Sequence, residues 1–145
     1  MSFNELQPLK GKKILVAATG SIAVIKTPIL ISSLIKEGAD VRCVISQSAS
    51  HLVSPLALST LSRNPCYQDK DQWEEHQTKP LHISLAEWAE IIVIAPLTAS
   101  TLSKYAYGNG EGLLASILLA SNAPIVMAAA MNTSMWSHYS VRNNW

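Results

Sequence analysis

The sequence predicts an α/β fold of three layers, a doubly wound, mostly parallel sheet with helices on both faces. Three observations predict it. Four apolar runs of strand length, Lys13–Ala18, Val41–Ser46, Ile91–Pro96 and Pro124–Ala129, alternate with helical stretches. The runs are continuous rather than alternating, as parallel strands buried on both faces require. The 145 residues are 48% apolar and 14% charged, which suits one packed core and excludes a disordered chain. A single domain over residues 1–145 is therefore expected.

The first strand, Lys13–Ala18, precedes a helical stretch from Ser21 to Glu37. Ile22, Ile25, Ile29, Leu30 and Leu34 recur there at helical spacing, and Gly38 closes the stretch as a C-cap. Pro28 falls inside it, so either the helix bends, or a first turn at Ser21–Lys26 yields to a helix capped by Thr27 with Pro28 at its first position. After the second strand, Ser46–Ser50 reads as a serine-rich loop and Pro55–Leu61 as a helix. Gln68–Lys79 is the most polar stretch and reads as a surface excursion or lid. Ile83–Glu90 is a short helix before the third strand. Ser100–Tyr107 and Gly112–Ala120 are two more, broken at Gly108-Asn109-Gly110, before the fourth strand. The β-α-β-α-β-α-β order is that of Rossmann-like and flavodoxin-like sheets, whose ligands sit beyond the carboxyl ends of the strands.

Several function classes are excluded by composition. Eleven Lys plus Arg against ten Asp plus Glu leave a net charge of +1, with no basic footprint for nucleic acid or a membrane surface. Cys43 and Cys66 are too few for a disulfide scaffold and show no metal-ligand spacing, so no metal is expected and a reducing cytoplasm is. No secretory leader is apparent, since Met1 to Pro8 is polar. Leu113 to Met131 alone could imitate a membrane span, and Ser121-Asn122-Ala123-Pro124 cuts it into a buried helix and a buried strand.

Four segments at strand ends can carry chemistry. Thr19-Gly20-Ser21-Ile22-Ala23 joins a strand to a helix start. Gly20 permits a tight turn, backbone N–H groups would face an anion, and Thr19 and Ser21 add hydroxyls. It is not G-x-G-x-x-G and lacks the lysine of a P-loop, so a plain strand-to-helix turn competes with a phosphate site. Ser46-Gln47-Ser48-Ala49-Ser50 and Pro96-Leu97-Thr98-Ala99-Ser100-Thr101 place further hydroxyls at strand ends, where either loop alone reads equally as a helix N-cap. Ala129-Ala130-Met131-Asn132-Thr133-Ser134-Met135-Trp136 combines small residues, which admit a flat ligand, with an amide that donates and accepts. Met131, Met135 and Trp136 read by composition as core or as a subunit interface. Oligomerisation is expected from the apolar Leu113–Ala120 helix together with Met135-Trp136. His82, at the start of the Ile83–Glu90 helix, is a candidate acid or base, with a capping or surface role as the plainer reading.

Taken together, these segments resemble the flavin-dependent cysteine decarboxylases, and within them the phosphopantothenoylcysteine decarboxylases. Gly20-Ser21-Ile22-Ala23 with Lys26 resembles the flavin-phosphate turn. Leu81-His82-Ile83 with Leu85 and Trp88-Ala89 resembles the segment bearing the catalytic histidine. Residues 96–101 resemble P-A-S-A-N-T, and residues 129–136 resemble P-x-M-N-x-x-M-W. The resemblance runs from Lys12 to Trp145. It implies FMN held between the subunits of a homotrimer or a multiple of trimers. It also implies decarboxylation of 4'-phosphopantothenoylcysteine to 4'-phosphopantetheine in coenzyme A biosynthesis. In that family the flavin oxidises the cysteinyl thiol to a thioaldehyde, carbon dioxide is lost, and the reduced flavin returns the electrons. The resemblance makes His82 the acid–base residue and Asn132 the substrate-carboxylate ligand. It assigns FMN to Gly20, Ser21, Ile22, Ser46, Ser48, Thr98, Ala99, Ser100, Thr101 and Ala130.

The sequence departs from the family pattern in several places. Ser100 replaces the Asn of P-A-S-A-N-T, Ala129 replaces the Pro of P-x-M-N, and Glu111-Gly112 replaces Asp-Asn. The sequence ends at Trp145, before the family's C-terminal substrate clamp, and neither Cys43 nor Cys66 lies where the clamp cysteine would. The alternatives are a related flavin enzyme acting on another cysteinyl thiol, and an FMN-binding subunit or regulator without turnover.

Overall fold

The computed structural model describes residues 7–145. Five strands, β1 (Lys13–Ala18), β2 (Asp40–Ile45), β3 (Cys66–Tyr67), β4 (Ile91–Leu97) and β5 (Ile125–Ala129), form one sheet in the order β3-β2-β1-β4-β5. Every pairing is parallel. The order reverses at β1, where β2 departs to one side and β4 to the other. That reversal opens a crevice at the carboxyl ends of β1 and β4.

Side-chain alternation along β1 sorts the core into two layers. Ile14, Val16 and Ala18 join Val24, Ile31, Val41, Cys43, Ile45 and Leu58 on one face. Leu15 and Ala17 join Leu85, Ile92, Ile94, Leu102, Leu113 and Ile117 on the other. The first face is covered by α1 (Thr27–Lys36) and α3 (Pro55–Ser62). The second is covered by α4 (Leu81–Trp88), α5 (Ala99–Ala106) and α6 (Leu113–Ala120). Both β1 faces are closed to water, so its apolar run had to be continuous.

The stretch after β1 divides at Pro28: a 3-10 turn covers Ile22–Lys26, and α1 begins at Thr27. Thr27 is not the cap, however. It is the first helical residue, buried, and its hydroxyl donates to the Ala95 carbonyl at 2.8 Å. Gly38 ends α1 as expected, at φ +91°. Its N–H bonds the Ile35 carbonyl while the Ala39 N–H bonds that of Leu34, the paired arrangement that satisfies a helix C-terminus.

Four elements differ from the sequence reading. β3 is too short to register as an apolar run; its two residues are held by pairing Cys43 with Cys66 and Val44 with Tyr67. Ser46–Ser50 is not loop, since α2 (Gln47–Ser50) forms one helical turn capped by the Ser46 hydroxyl. After β5 come α7 (Thr133–Ser137) and α8 (Tyr139–Asn144). Among the described residues, no helix is long and apolar enough to cross a membrane.

Burial pushes both thiols up, Cys43 to about 11 and Cys66 to about 12, with Cys43 and Asp71 adding to the effect at Cys66. A thiol whose folded pKa is raised stabilises the fold below its unfolded value of roughly 8.5, and that contribution is lost as pH rises through 11 to 12. The expected result is resistance of both thiols to alkylation at pH 8 in the native protein. Stability should fall progressively above pH 9, and Cys43→Ala with Cys66→Ala should flatten that alkaline limb of a urea-midpoint-against-pH curve.

Candidate functional site

Beyond the carboxyl ends of β1, β2, β4 and β5, the connecting segments enclose an open cleft of about 980 Å3. That volume is near the upper end of small-ligand and cofactor sites, which run to roughly 1,000 Å3. Gly20, Ser21 and Ile22 line it from the first loop, Ser46 and Ser48 from the second, Thr98, Ala99, Ser100 and Thr101 from the third, and Ala130 and Asn132 from the fourth. Eleven of the twelve residues singled out in the sequence therefore share one concavity. The exception is His82.

The loops are locked to one another by a threonine. Thr19, 1% exposed, donates its hydroxyl to the Pro96 carbonyl at 2.6 Å and accepts the Thr98 N–H at 3.0 Å. The pairing of β4 with β5 is irregular between Ile94 and Leu97, so carbonyls there leave the ladder and need other partners. Thr19 supplies one and Thr27 the other. Thr19 is thus not the phosphate donor that the sequence suggested, because its proton is committed inside the protein. Its effect is to place Thr98 beside the first loop.

Gly20 is required by a close approach rather than by its φ. A Cβ built there would lie 2.4 Å from Ser48 Cβ. The first and second loops therefore touch across the cleft floor, with backbone in place of side chain. Gly20→Ala is expected to cost about 1–3 kcal/mol by overpacking. The double variant Gly20→Ala with Ser48→Gly should recover most of that loss in thermal denaturation.

The hydroxyls divide their capacity between fold and cleft. Ser46 accepts the Ala49 N–H at 3.2 Å, and Thr98 accepts the Thr101 N–H at 3.2 Å, so the N-cap reading of both loops holds while both residues also line the cleft. Each cap satisfies one of the N–H groups that a helix start leaves unpaired, and others in the same turn face solvent or ligand. Asn132 caps α7, its Oδ1 taking the Ser134 N–H at 2.8 Å. Its amide N–H2 is left for a ligand, the donor pair that a carboxylate accepts.

Sequence reasoning missed two lining residues, Asp69 and Lys104, the only ionisable groups on the cleft wall among the described residues. Lys104 follows Thr98 and Thr101 at three-residue steps on α5, so helical periodicity could have found it. Asp69 lies in the polar excursion, where no local pattern separates it from its neighbours. Its carboxylate accepts the Leu113 N–H at 2.8 Å and caps α6 where Gly112 has no side chain to do so. The excursion is therefore fastened to the cleft rim rather than free as a lid.

His82 lies in the first turn of α4, half-buried and outside the cleft wall. Gln72 Nε2 stands 3.4 Å from its Nδ1. The apolar segments expected to promote oligomerisation are only partly open, at Leu119 and Met135. Leu113, Ile117 and Leu118 of α6 are buried in the core and unavailable to a partner, whereas Ile22 (70% exposed), Ile25, Ile29, Met135 and Tyr139 (79%) are open. Trp136 is half-buried, with Trp145 edge-on at 5.3 Å and the Arg142 guanidinium 5.5 Å above its ring.

Known proteins share this fold. The Flavoprotein family model matches residues 2–145. The chain is 38% identical over 136 residues to the coenzyme A biosynthesis bifunctional protein CoaBC of Bacillus subtilis, covering 94% of this chain and 33% of that protein. It thus spans about a third of the CoaBC relative's length. Among solved structures, the FMN-dependent cysteine decarboxylase SpaF superposes with a TM-score of 0.87 at 29% identity, covering 94% of this chain and 78% of that one. A PPC decarboxylase mutant complexed with pantothenoylaminoethenethiol superposes with a TM-score of 0.82 at 36% identity, covering 93% and 75%.

Proposed function

The chain belongs to the Flavoprotein family, and from that premise we propose that it binds FMN in the cleft and decarboxylates a cysteinyl thiol, 4'-phosphopantothenoylcysteine. The observation that carries the reading is the convergence of the four strand-end segments on one hydroxyl-rich, amide-bearing cleft. The residues fit a flat, phosphorylated group. Gly20, Ala23, Ala99 and Ala130 keep the walls low. Ser21, Ser48, Ser100 and Thr101 offer hydroxyls to a phosphate and polyol chain, and Lys104 supplies one positive charge. When bound, the flavin supplies two-electron oxidation of the thiol, which makes loss of the neighbouring carboxylate as carbon dioxide easy.

The chain's own residues supply binding and proton handling. The Asn132 amide donates to the substrate carboxylate and fixes which bond will break. His82 holds or moves a proton at the reacting end of the substrate. Because His82 lies outside the cleft of its own chain, a second copy delivers it. The open apolar side chains Ile22 and Met135 on the cleft wall, with Ile25, Ile29 and Tyr139 elsewhere on the surface, give that copy apolar area to cover. A closed trimer, or a multiple of trimers, in a reducing cytoplasm completes the proposal.

The test is anaerobic. FMN-loaded protein is mixed with 4'-phosphopantothenoylcysteine, and the flavin absorbance and carbon dioxide release are followed in the same sample. Bleaching or turnover with carbon dioxide release is the expected result. A protein that never takes up flavin, or a yellow one that releases no carbon dioxide from this thiol, overturns it.

A further inference from the structure

The 3-10 turn Asp69–Trp73 is tied down on three sides. The Asp71 carboxylate accepts the Gln68 N–H at 2.7 Å, the Asp69 carboxylate accepts the Leu113 N–H at 2.8 Å, and the Gln77 amide donates to the Asp71 carbonyl at 2.9 Å. With its backbone held against α6 and its own loop, the turn carries Gln72 to α4. There Gln72 Nε2 comes within 3.4 Å of His82 Nδ1. Gln72 does not line the cleft, so its polar end serves the histidine rather than the ligand wall.

An amide N–H2 has protons to give and no lone pair to offer, so the ring nitrogen opposite it must accept. A neutral imidazole whose Nδ1 accepts carries its proton on Nε2. We propose that Gln72 is a positioning residue that holds neutral His82 in the Nε2–H tautomer, so that His82 meets its substrate through an N–H donor. The inference rests on the reading of His82 as the acid–base residue. It gives the polar excursion a task.

The test reads the imidazole directly. Ring-nitrogen NMR spectra of 15N-labelled, FMN-loaded protein are recorded at a pH where the ring is neutral. The chain has four histidines, and the signal lost in His82→Gln identifies the one in question. Wild type should show a protonated Nε2 and an unprotonated Nδ1. In Gln72→Glu the carboxylate can only accept, so the proton should move to Nδ1. Its kcat should fall about 10- to 100-fold with KM little changed, short of the roughly 10⁴-fold that a wrong tautomer costs a fully buried triad. Gln72→Leu should show both tautomers. Wild type with Nδ1–H, the amide oxygen facing the ring, overturns the proposal, as does a Gln72→Glu protein whose His82 signals do not move. If neither variant folds, the wild-type spectrum still decides. An inactive protein with Nε2–H would reject the decarboxylase reading and leave the tautomer assignment standing; an active one with Nδ1–H would do the reverse.

Discussion

Replacing His82 by Asn is expected to leave FMN bound and to lower decarboxylation by at least about 10²-fold, the smaller end of what a positioned acid or base contributes. FMN should stay because His82 does not line the cleft of its own chain. The same geometry predicts complementation. His82→Asn and Asn132→Ala are each expected to be inactive, because each removes one half of every site. Mixed, unfolded together and refolded, they should recover about a quarter of wild-type activity, since a site made from two copies then draws its two halves independently. Hybrids that recover nothing, while each variant binds FMN and assembles, would place His82 and Asn132 of one site on the same chain.

The largest stability effect is expected at Thr19. Thr19→Val keeps shape and removes a hydroxyl that is 1% exposed. The Pro96 carbonyl, buried, and the Thr98 N–H, part-buried, then lose their shared partner. At about 1–3 kcal/mol for an unsatisfied buried carbonyl and less for the part-buried N–H, the loss is about 2–4 kcal/mol, and Tm should fall on the order of 10 °C. FMN affinity should fall too, because Thr98 N–H is the joint between the first and third loops. Thr19→Ser retains the hydroxyl and should cost about 1 kcal/mol, the loss of one methyl. A Thr19→Val protein with unchanged Tm would show that the two loops hold their places without the bridge.

Much of the fold was legible because parallel strands covered on both sides leave unbroken aliphatic runs. Lys13–Ala18, Ile91–Leu97 and Ile125–Ala129 stand close to where hydropathy alone placed them. β3 was illegible for the converse reason. Cys66 and Tyr67 are strand only because Cys43 and Val44 lie beside them, and two residues carry no period. The helix break at Pro28 was legible from the ring's effect on the preceding turn, but the role of Thr27 was not. A threonine before a proline reads as a cap, and its bond to Ala95 spans 68 residues.

The candidate site divides in the same way. Strand order and small hydroxyl residues after each strand point to one end of the sheet, and eleven of the chosen residues do line a single cleft. Which hydroxyls remain for a ligand depends on pairings across the sheet, and there sequence reasoning assigned Thr19 wrongly. Asp69 was hidden because its partner, the Leu113 N–H, belongs to a backbone 44 positions away.

By itself the sequence determined the class of fold, the end of the sheet where the cleft lies, and the donor types offered there. All three follow from local periodicity and from the order of elements, which the chain writes along its own length. Only the tertiary structure decided that Gly20 must be glycine because Ser48 touches it, that Thr19 faces inward, and that His82 stands outside the cleft beside Gln72. Those facts are distances between residues far apart in the chain, set by how two packed layers close on one sheet, and no single segment carries them.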